Sequence, residues 1–114
     1  PRQLARDKMR GNIFENFIIM EAVKHRMNAG KDGGVFFYRD SNQNEVDLLL
    51  KEDGEITALE VKSSQTYSPS FEDTLKTLPG WIKTPVRRRG VIYAGNFENT
   101  AGEIEVFNYK HINL

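Results

Sequence analysis

The charged residues of one predicted hairpin are the first feature with the chemistry of a catalytic site. The stretch NEVDLLLKEDGEITALEVKSS (44–64) contains two apolar runs joined by Asp53-Gly54, a strong signal for a two-residue β-turn. Asp47, Glu60 and Lys62 interrupt these runs. A charge buried in a sheet costs free energy unless it has a partner. The sequence therefore predicts that these three side chains act together.

The turn determines which residues face each other across the hairpin. A two-residue turn at 53–54 places Asp47 directly opposite Glu60. The same register places Glu45 opposite Lys62, either as an ion pair or exposed to solvent. Because side chains alternate between the faces of a sheet, we expect these four charged side chains on one face. The apolar residues expected on the other face are Val46, Leu48, Leu59 and Val61.

Two carboxylates placed in this way repel each other. Their Cβ atoms should lie roughly 4.5–5.5 Å apart, where like charges are destabilising. A shared proton, the Lys62 ammonium or a divalent metal ion could offset the repulsion. Oxygen ligands suit Mg²⁺ or Mn²⁺, which also bind substrate phosphates. A lysine two residues from Glu60 could stabilise charge on a phosphate or orient a water molecule. The pattern indicates a site that cuts phosphodiesters.

A third carboxylate is predicted to come from a helix. Glu15 is followed by Ile18 and Ile19, and one turn later by Ala22, so its own stripe of the helix is apolar. That stripe should face the sheet. An inward-facing carboxylate needs a partner, and we therefore expect Glu15 to join Asp47 and Glu60.

The elements that position these residues form an α/β pattern. Residues 3–28 predict a largely buried helix, with a break near Gly11, and residues 41–44 predict a turn. A second helix is expected after Ser70, its predicted N-cap. Predicted strands cover 35–40, 45–50, 55–62, 87–95 and 103–109. The order is helix-strand-strand-strand-helix-strand-strand, which predicts a mixed sheet of about five strands with helices on both faces.

These residues resemble a known superfamily. Asp47, followed on the next strand by Glu60-Val61-Lys62, with helical Glu15 upstream, is similar to the pattern of the PD-(D/E)xK, or restriction-endonuclease-like, nucleases. Val46 stands where that pattern has proline. More narrowly, GNIFENFII, FYRDSNQNEVDLLL and ALEVKSS resemble the C-terminal domain of unknown function attached to prokaryotic AAA-type ATPases.

The resemblance implies a fold, a site and a parent protein. It implies a restriction-endonuclease-like core with Glu15, Asp47, Glu60 and Lys62 as catalytic residues. Asp47 and Glu60 would bind Mg²⁺ or Mn²⁺, and Glu15 would complete the ligand set. Residues 1–114 would be a single domain, and their start at Pro1 suggests the C-terminal fragment of a longer ATPase. The ATPase module would lie outside them, since GKDGG lacks the spacing of a phosphate-binding loop.

Composition narrows the partners and the compartment. Sixteen Lys and Arg residues balance sixteen Asp and Glu residues, so no global basic field marks nucleic-acid binding. The sequence has no Cys, and no apolar run approaches the ~18 residues that span a bilayer. We therefore expect a cytoplasmic protein without a membrane partner.

Several other residues carry weaker functional signals. Arg87, Arg88 and Arg89 form a basic run that could contact a phosphate backbone, although a solvated sheet edge is the simpler interpretation. Gln65 and Tyr67 follow the Lys62 strand and would either touch substrate or build the loop.

The aromatic residues of the first strand have a structural interpretation. Phe36, Phe37 and Tyr38 are expected to pack in the core rather than to stack on bases. Trp81 is expected to anchor the end of the second helix.

Three functions remain open from the sequence. The first is a metal-dependent nuclease, with DNA as the expected substrate and RNA as the second. The next is a non-catalytic platform that binds nucleic acid or protein for the attached ATPase. The last is a structural α/β domain with an ion-paired hairpin. The neutral net charge favours the platform, while the four active-site residue types favour the nuclease.

Overall fold

The fold consists of a five-stranded sheet and two α-helices. A computed structural model describes residues 2–30, 34–41 and 44–111. Short 3₁₀ turns flank the second helix and follow the last strand. The order of helices and strands is the predicted one. The elements are α1 (Arg2–Asn28), β1 (Val35–Arg39), β2 (Glu45–Glu52), β3 (Glu55–Lys62), α2 (Asp73–Thr77), β4 (Val86–Tyr93) and β5 (Glu105–Asn108).

The sheet is mixed, as the sequence predicted. Its strands lie in the order β1-β2-β3-β4-β5. The pairs β1–β2 and β2–β3 are antiparallel, whereas β3–β4 and β4–β5 are parallel. Residues 56–61 of the central strand β3 are all buried. Strand β3 therefore gives the side chains at its end a well-packed support.

Helices cover both faces of the sheet, again as predicted. Helix α1 packs its Ile18 and Ala22 on one face, which we call the α1 side. Helix α2, with the 3₁₀ turn Leu78–Gly80 that follows it, packs Leu75 and Leu78 on the other face, the α2 side. The sheet residues in the α1-side cluster are Leu48, Leu50, Leu59, Val61, Ile92 and Phe107. Those in the α2-side cluster include Val46, Leu49, Ile56, Ala58, Val91, Tyr93 and Val106.

The β2–β3 hairpin has the register that its turn predicts. Glu52 pairs with Glu55, and Leu48 pairs with Leu59. The two turn residues have positive φ, 53° at Asp53 and 79° at Gly54, which matches the right-handed twist of the strands. The Asp-Gly turn therefore sets the alignment of both strands.

A bulge in β2 corrects one predicted face. Phe36 pairs with Leu49 but Tyr38 pairs with Val46, so β2 has one more residue than β1 between these pairs. The extra residue breaks the two-residue alternation of side chains. Val46 consequently lies on the α2 side while Leu48 lies on the α1 side. The prediction that both share one face was wrong, because it assumed a regular strand.

Helix α1 differs from the prediction in two respects. It runs without a break through Gly11, whose helical cost of roughly 1 kcal/mol a long helix absorbs. It is not largely buried either, since apolar side chains on the surface opposite the sheet are exposed. These are Ile13, Phe17, Met20 and Met27. None of the helices in the described ranges has the length and apolarity needed to cross a membrane.

The aromatic residues of β1 were only partly predicted. Tyr38 is partly buried and stacks on Trp81, with ring centroids 5.8 Å apart, so Trp81 does anchor the segment that ends the α2 region. Phe36 and Phe37 are 51% and 69% exposed. Their predicted place in the core was wrong, because β1 is an edge strand with a neighbour on one flank only.

The α2 segment and the first turn complete the comparison with the sequence. The α2 segment begins with the 3₁₀ turn Pro69–Glu72, and its cap is Ser68 rather than Ser70, because the Ser68 side chain accepts the Ser70 N–H. Of the predicted turn at 41–44, residues 42 and 43 lie outside the described residues. Asp40 Oδ1 accepts the Asn44 N–H across it.

The loops that follow β3 and β4 pack closely against each other. Ala94 N–H donates to the Ser64 carbonyl, and the Tyr93 hydroxyl accepts the Phe97 N–H. Gly95 lies between them, where a Cβ would sit 2.3 Å from the Gln65 carbonyl oxygen and 2.5 Å from Tyr93 Cε2. This contact fixes the loop that begins just after Lys62.

We expect Gly95→Ala to lower the free energy of unfolding by about 1–3 kcal/mol, because the methyl group overpacks a backbone carbonyl and a buried ring. Chemical denaturation measures the change. Gly80→Ala is the matched control, since no atom lies within 4 Å of its added Cβ. Equal stability of the two variants would show that the two loops are not closely packed.

Candidate functional site

The strands β2 and β3 separate at the position of Asp47 and Glu60. Paired residues run from the turn as far as Leu48 and Leu59. Beyond this pair, hydrogen bonds from the backbone to side-chain carboxylates take the place of backbone–backbone hydrogen bonds. Glu60 Oε1 accepts the Asp47 N–H at 3.3 Å, and Asp47 Oδ2 accepts the Val61 N–H at 2.8 Å. Each carboxylate thus bonds to the backbone of the other strand. Leu59 and Val61 both lie on the α1 side, so Glu60 and Lys62 point to the α2 side, whereas Glu45, next to Val46, points to the α1 side. The prediction that the four charged side chains share one face was therefore wrong.

Lys62 brings a positive charge to the same place. Its Nζ lies 3.9 Å from Glu60 Oε2, and the Glu60 side chain is only 8% exposed. The ammonium also lies 5.8 Å from the centre of the Phe71 ring, which attracts cations to its face. Phe71 comes from the segment before α2, so both faces of the sheet contribute to the surroundings of this cluster.

Burial raises the pKa of both strand carboxylates, Asp47 and Glu60. Burial raises the pKa of Glu60 to about 8, and the Asp47 charge acts in the same direction while Lys62 opposes it. Burial also raises the pKa of Asp47, against the lowering effect of its hydrogen bond from Val61. A buried carboxylate of this kind binds either a proton or a cation.

Glu15 joins the same electrostatic group from α1. Burial raises its pKa first, and the Asp47 charge raises it further. The Lys62 charge and a hydrogen bond with the Ser63 backbone act in the opposite direction. The helix therefore places a third carboxyl group beside the end of β3, where the sequence predicted it.

Two of the acidic residues, Asp47 and Glu60, are suited to bind a divalent ion. No group of three or more Asp, Glu or His side chains among the residues at 2–30, 34–41 and 44–111 is close enough to form a metal site. Mg²⁺, however, is commonly held by one or two carboxylates, with waters and substrate phosphates completing its shell. Asp47 and Glu60 supply two carboxylates in direct contact with each other's strands. They suit this kind of site, with Glu15 beside it.

The three arginines of β4 lie away from the carboxylates. Arg88 is next to Thr57 in the parallel pairing of β3 and β4, whereas Lys62 is next to Tyr93. Five residues of strand separate these levels, which corresponds to roughly 16 Å. Their contact with nucleic acid stays a prediction. Their ion-pair partners are Glu52 for Arg87, Glu105 for Arg88 and Glu103 for Arg89.

The remaining candidate residues are either exposed to solvent or have a structural role. Gln65 is exposed in the loop after Lys62. Tyr67 builds that loop, since its ring centroid lies 4.9 Å from that of Phe97. Glu45 pairs with Arg39, at 2.7 Å between Oε1 and Nη2. Of the two alternatives predicted for Glu45, exposure to solvent is confirmed, and the ion pair with Lys62 is not, because Arg39 of the neighbouring strand gives Glu45 a closer cation.

A groove beside Asp47 was missed by sequence reasoning. Its volume is about 280 Å³, and it lies between α1 and the end of β1. The exposed ring of Phe37 borders it. Four consecutive apolar or aromatic residues at 35–38 could have signalled an exposed apolar surface, because a strand with apolar side chains on both faces needs cover on both. Its other lining residues include Asn16, Ile19, Arg39, Val46 and Asp47.

Comparison with known proteins gives one match. The family described as Domain of unknown function (DUF4143) matches residues 10–112. The chain has no significant match among curated proteins or among solved structures. The family description states no activity, so the chemistry of the site is the guide to one.

The raised pKa of Glu60 predicts how stability depends on pH. Its folded-state pKa of about 8 lies above the ordinary 4.5, so its protonated form stabilises the fold fully below pH 4.5. This contribution is lost as pH rises toward 8. At about 1.4 kcal/mol per pKa unit, the loss is on the order of a few kcal/mol. In EDTA, Glu60→Gln should flatten the decline and be more stable than wild type at the alkaline end.

Unfolding in urea across this pH range measures the effect. Glu55→Gln, at the other end of the same strand, should keep the wild-type pH dependence. A Glu60→Gln curve parallel to that of wild type would mean that folding does not change the pKa of Glu60.

Proposed function

The chain belongs to the DUF4143 family, and we propose that it is a metal-dependent nuclease domain that cleaves phosphodiester bonds in DNA. The observation that carries this proposal is the reciprocal contact of Asp47 and Glu60 across the opened hairpin, with Lys62 beside them. Two carboxylates and a lysine are the groups that such a reaction needs near the phosphate. RNA is the second candidate substrate.

The carboxylates have the role of ligands. Asp47 and Glu60 would hold a Mg²⁺ or Mn²⁺ ion, which supplies Lewis acidity toward a phosphate and lowers the pKa of bound water. The Val61 N–H orients the Asp47 carboxylate, and the Asp47 N–H orients that of Glu60. Burial excludes competing water from Glu60, so its oxygens are available chiefly to the ion or to a proton.

Lys62 and Glu15 have supporting roles. The Lys62 side chain is 37% exposed, so its ammonium can approach a bound phosphate while it remains near Glu60. There it would stabilise negative charge that develops on the phosphate in the transition state. Glu15, beside the Ser63 backbone, would complete the ligand set or position a metal-bound water.

The wider identity of the domain follows the same proposal. The Asp47, Glu60, Lys62 and Glu15 pattern resembles that of the PD-(D/E)xK superfamily, and the mixed sheet with a helix on each face is compatible with a restriction-endonuclease-like core. The domain would then serve as the C-terminal part of a longer AAA-type ATPase. Its N-terminal ATPase module would be its partner in the parent chain.

A non-catalytic platform is the second candidate function. Two observations favour it: the net charge is zero, and the β4 arginines each contact a glutamate. A platform needs no metal ion. Metal binding and cleavage therefore distinguish the two functions.

Metal binding should stabilise the folded chain. A divalent ion that binds only the folded state raises the free energy of unfolding by about 2.7 kcal/mol at a hundredfold excess over its dissociation constant. We expect Mn²⁺ and Mg²⁺ to raise the melting temperature of wild type and to leave that of Asp47→Asn unchanged. Asp53→Asn, in the turn of the same hairpin, is the control and should respond like wild type. No shift in wild type, with no binding heat in calorimetry, would favour the platform.

Cleavage should depend on Lys62 more than binding does. A side chain that acts on transition-state charge lowers turnover when it is removed, while ground-state binding changes little. We expect Lys62→Ala to reduce the Mn²⁺-dependent cleavage rate of DNA by roughly a hundredfold or more, the cost of losing one preorganised charge-stabilising group. The Mn²⁺ affinity should stay within a fewfold. Lys51→Ala, an exposed lysine of β2, is the control. Equal rates for wild type and Lys62→Ala would remove this lysine from the mechanism.

A further inference from the structure

The edge strand β1 leaves the aromatic side chain of Phe37 without cover. Its side chain is the most exposed of the large hydrophobic residues described, at 69%. Strand β1 alternates regularly, with Val35 packed on the α1 side and Tyr38 on the α2 side. Phe37 therefore lies on the α1 side and Phe36 on the α2 side. The two neighbouring phenylalanines occupy opposite faces of one edge strand.

Phe37 borders a groove, and Phe36 is not among the residues that line it. Asp47 also lines this groove, which has a volume of about 280 Å³. Asn16 of α1, next to Glu15, contributes an amide to the same groove. An aromatic face, an amide and a candidate metal ligand thus share one concave surface.

We propose that this groove binds an unpaired nucleotide next to the scissile phosphate, with its base stacked on Phe37, so that the substrate is a single strand or an unpaired end. The inference rests on the proposed nuclease function. Base stacking on an aromatic side chain is tolerant of sequence, because every base has a π-face. The asparagine amide can donate to or accept from a base edge. The next phosphate along the strand would then lie toward Asp47 and Glu60.

The size of the groove favours an unpaired base over a duplex. Its volume of about 280 Å³ is at the lower end of ligand pockets, which span ~300–1,000 Å³. That leaves room for a single base rather than a base pair. A base inside a duplex has both faces covered by its neighbours, so it would have to leave the stack to reach Phe37.

The charges around the groove suit a nucleic-acid backbone that binds together with a divalent metal ion. Arg39 borders the groove and contacts Glu45 through Nη2. A guanidinium has five N–H donors, so this contact still permits Arg39 to bind a phosphate. The carboxylates of Glu45 and Asp47 repel phosphate groups, and a divalent ion bound at Asp47 would offset that repulsion. Binding should therefore strengthen when a divalent ion is present.

The test compares Phe37→Ala with Phe36→Ala, two exposed residues on opposite faces of the same strand. The probes are a fluorescein-labelled oligothymidylate of about 12 nucleotides, within the usual site size of single-strand binders, and a duplex of equal length. Fluorescence anisotropy is measured with Ca²⁺ in place of Mg²⁺ or Mn²⁺, at one stated salt concentration. Thermal melts of both variants confirm that they fold.

We expect wild type to bind the single strand more tightly than the duplex. Phe37→Ala should weaken single-strand binding about tenfold or more, the loss of one base-stacking contact. Phe36→Ala should stay near the wild-type dissociation constant, and Phe37→Trp should restore binding. Equal effects of the two alanine variants, or none from Phe37→Ala, would overturn the inference. So would a change in self-association of Phe37→Ala without a change in nucleic-acid affinity, which would indicate a protein contact.

Cleavage with Mn²⁺ separates this inference from the proposed function. If wild type cuts DNA and Phe37→Ala cuts it with the same KM, the nuclease stands and the stacking site is wrong. If no strand is cut but single-strand binding depends on Phe37, the stacking site stands and the nuclease is wrong.

Discussion

The opening of the β2–β3 hairpin depends on hydrogen bonds that cross it from side chains. Two antiparallel strands can part only if the N–H groups that lose their ladder partners find others. The Asp47 N–H finds Glu60, and the Val61 N–H finds Asp47. The same two carboxylates thus keep the backbone satisfied and form the candidate site. Their neighbours follow from this arrangement, since Lys62 lies one residue beyond Val61 and Glu15 reaches the adjacent Ser63 backbone.

The double role of the two carboxylates lowers the stability of the fold, because they are buried close together. The favourable contribution of their backbone hydrogen bonds is opposed by desolvation, which dominates at Glu60 and at Asp47. The rigid centre of the sheet, with residues 56–61 buried, holds the pair in place against its repulsion. Sites that bind ions or develop charge are often arranged in this way, with strain at the site and stability in the surrounding core.

The sequence predicted what depends on local chemistry and missed what depends on distant pairing. The Asp53-Gly54 turn determines its own register, and that register brings Asp47 toward Glu60. The stripe of Glu15 could be identified because Ile18 and Ala22 follow at helical spacing. The bulge between Val46 and Leu49 could not, since it depends on how β1 pairs with β2. The exposure of Phe36 and Phe37 depends on β1 being an edge strand, and strand order is a property of the whole sheet.

The packing of α1 also bears on the order in which the chain folds. The β1–β2–β3 meander consists of contacts between residues close in sequence, which form early because little loop entropy is lost. Helix α1 packs on Ile92 and Phe107 as well, and the Phe14 ring meets the Tyr109 ring edge-on at 5.4 Å. These partners are synthesised after the meander. On a ribosome, the packing of α1 would therefore be complete only after β5 had emerged, although its contacts with β2 and β3 could form earlier. The pair of strand carboxylates would exist before the helical one was fully held beside it.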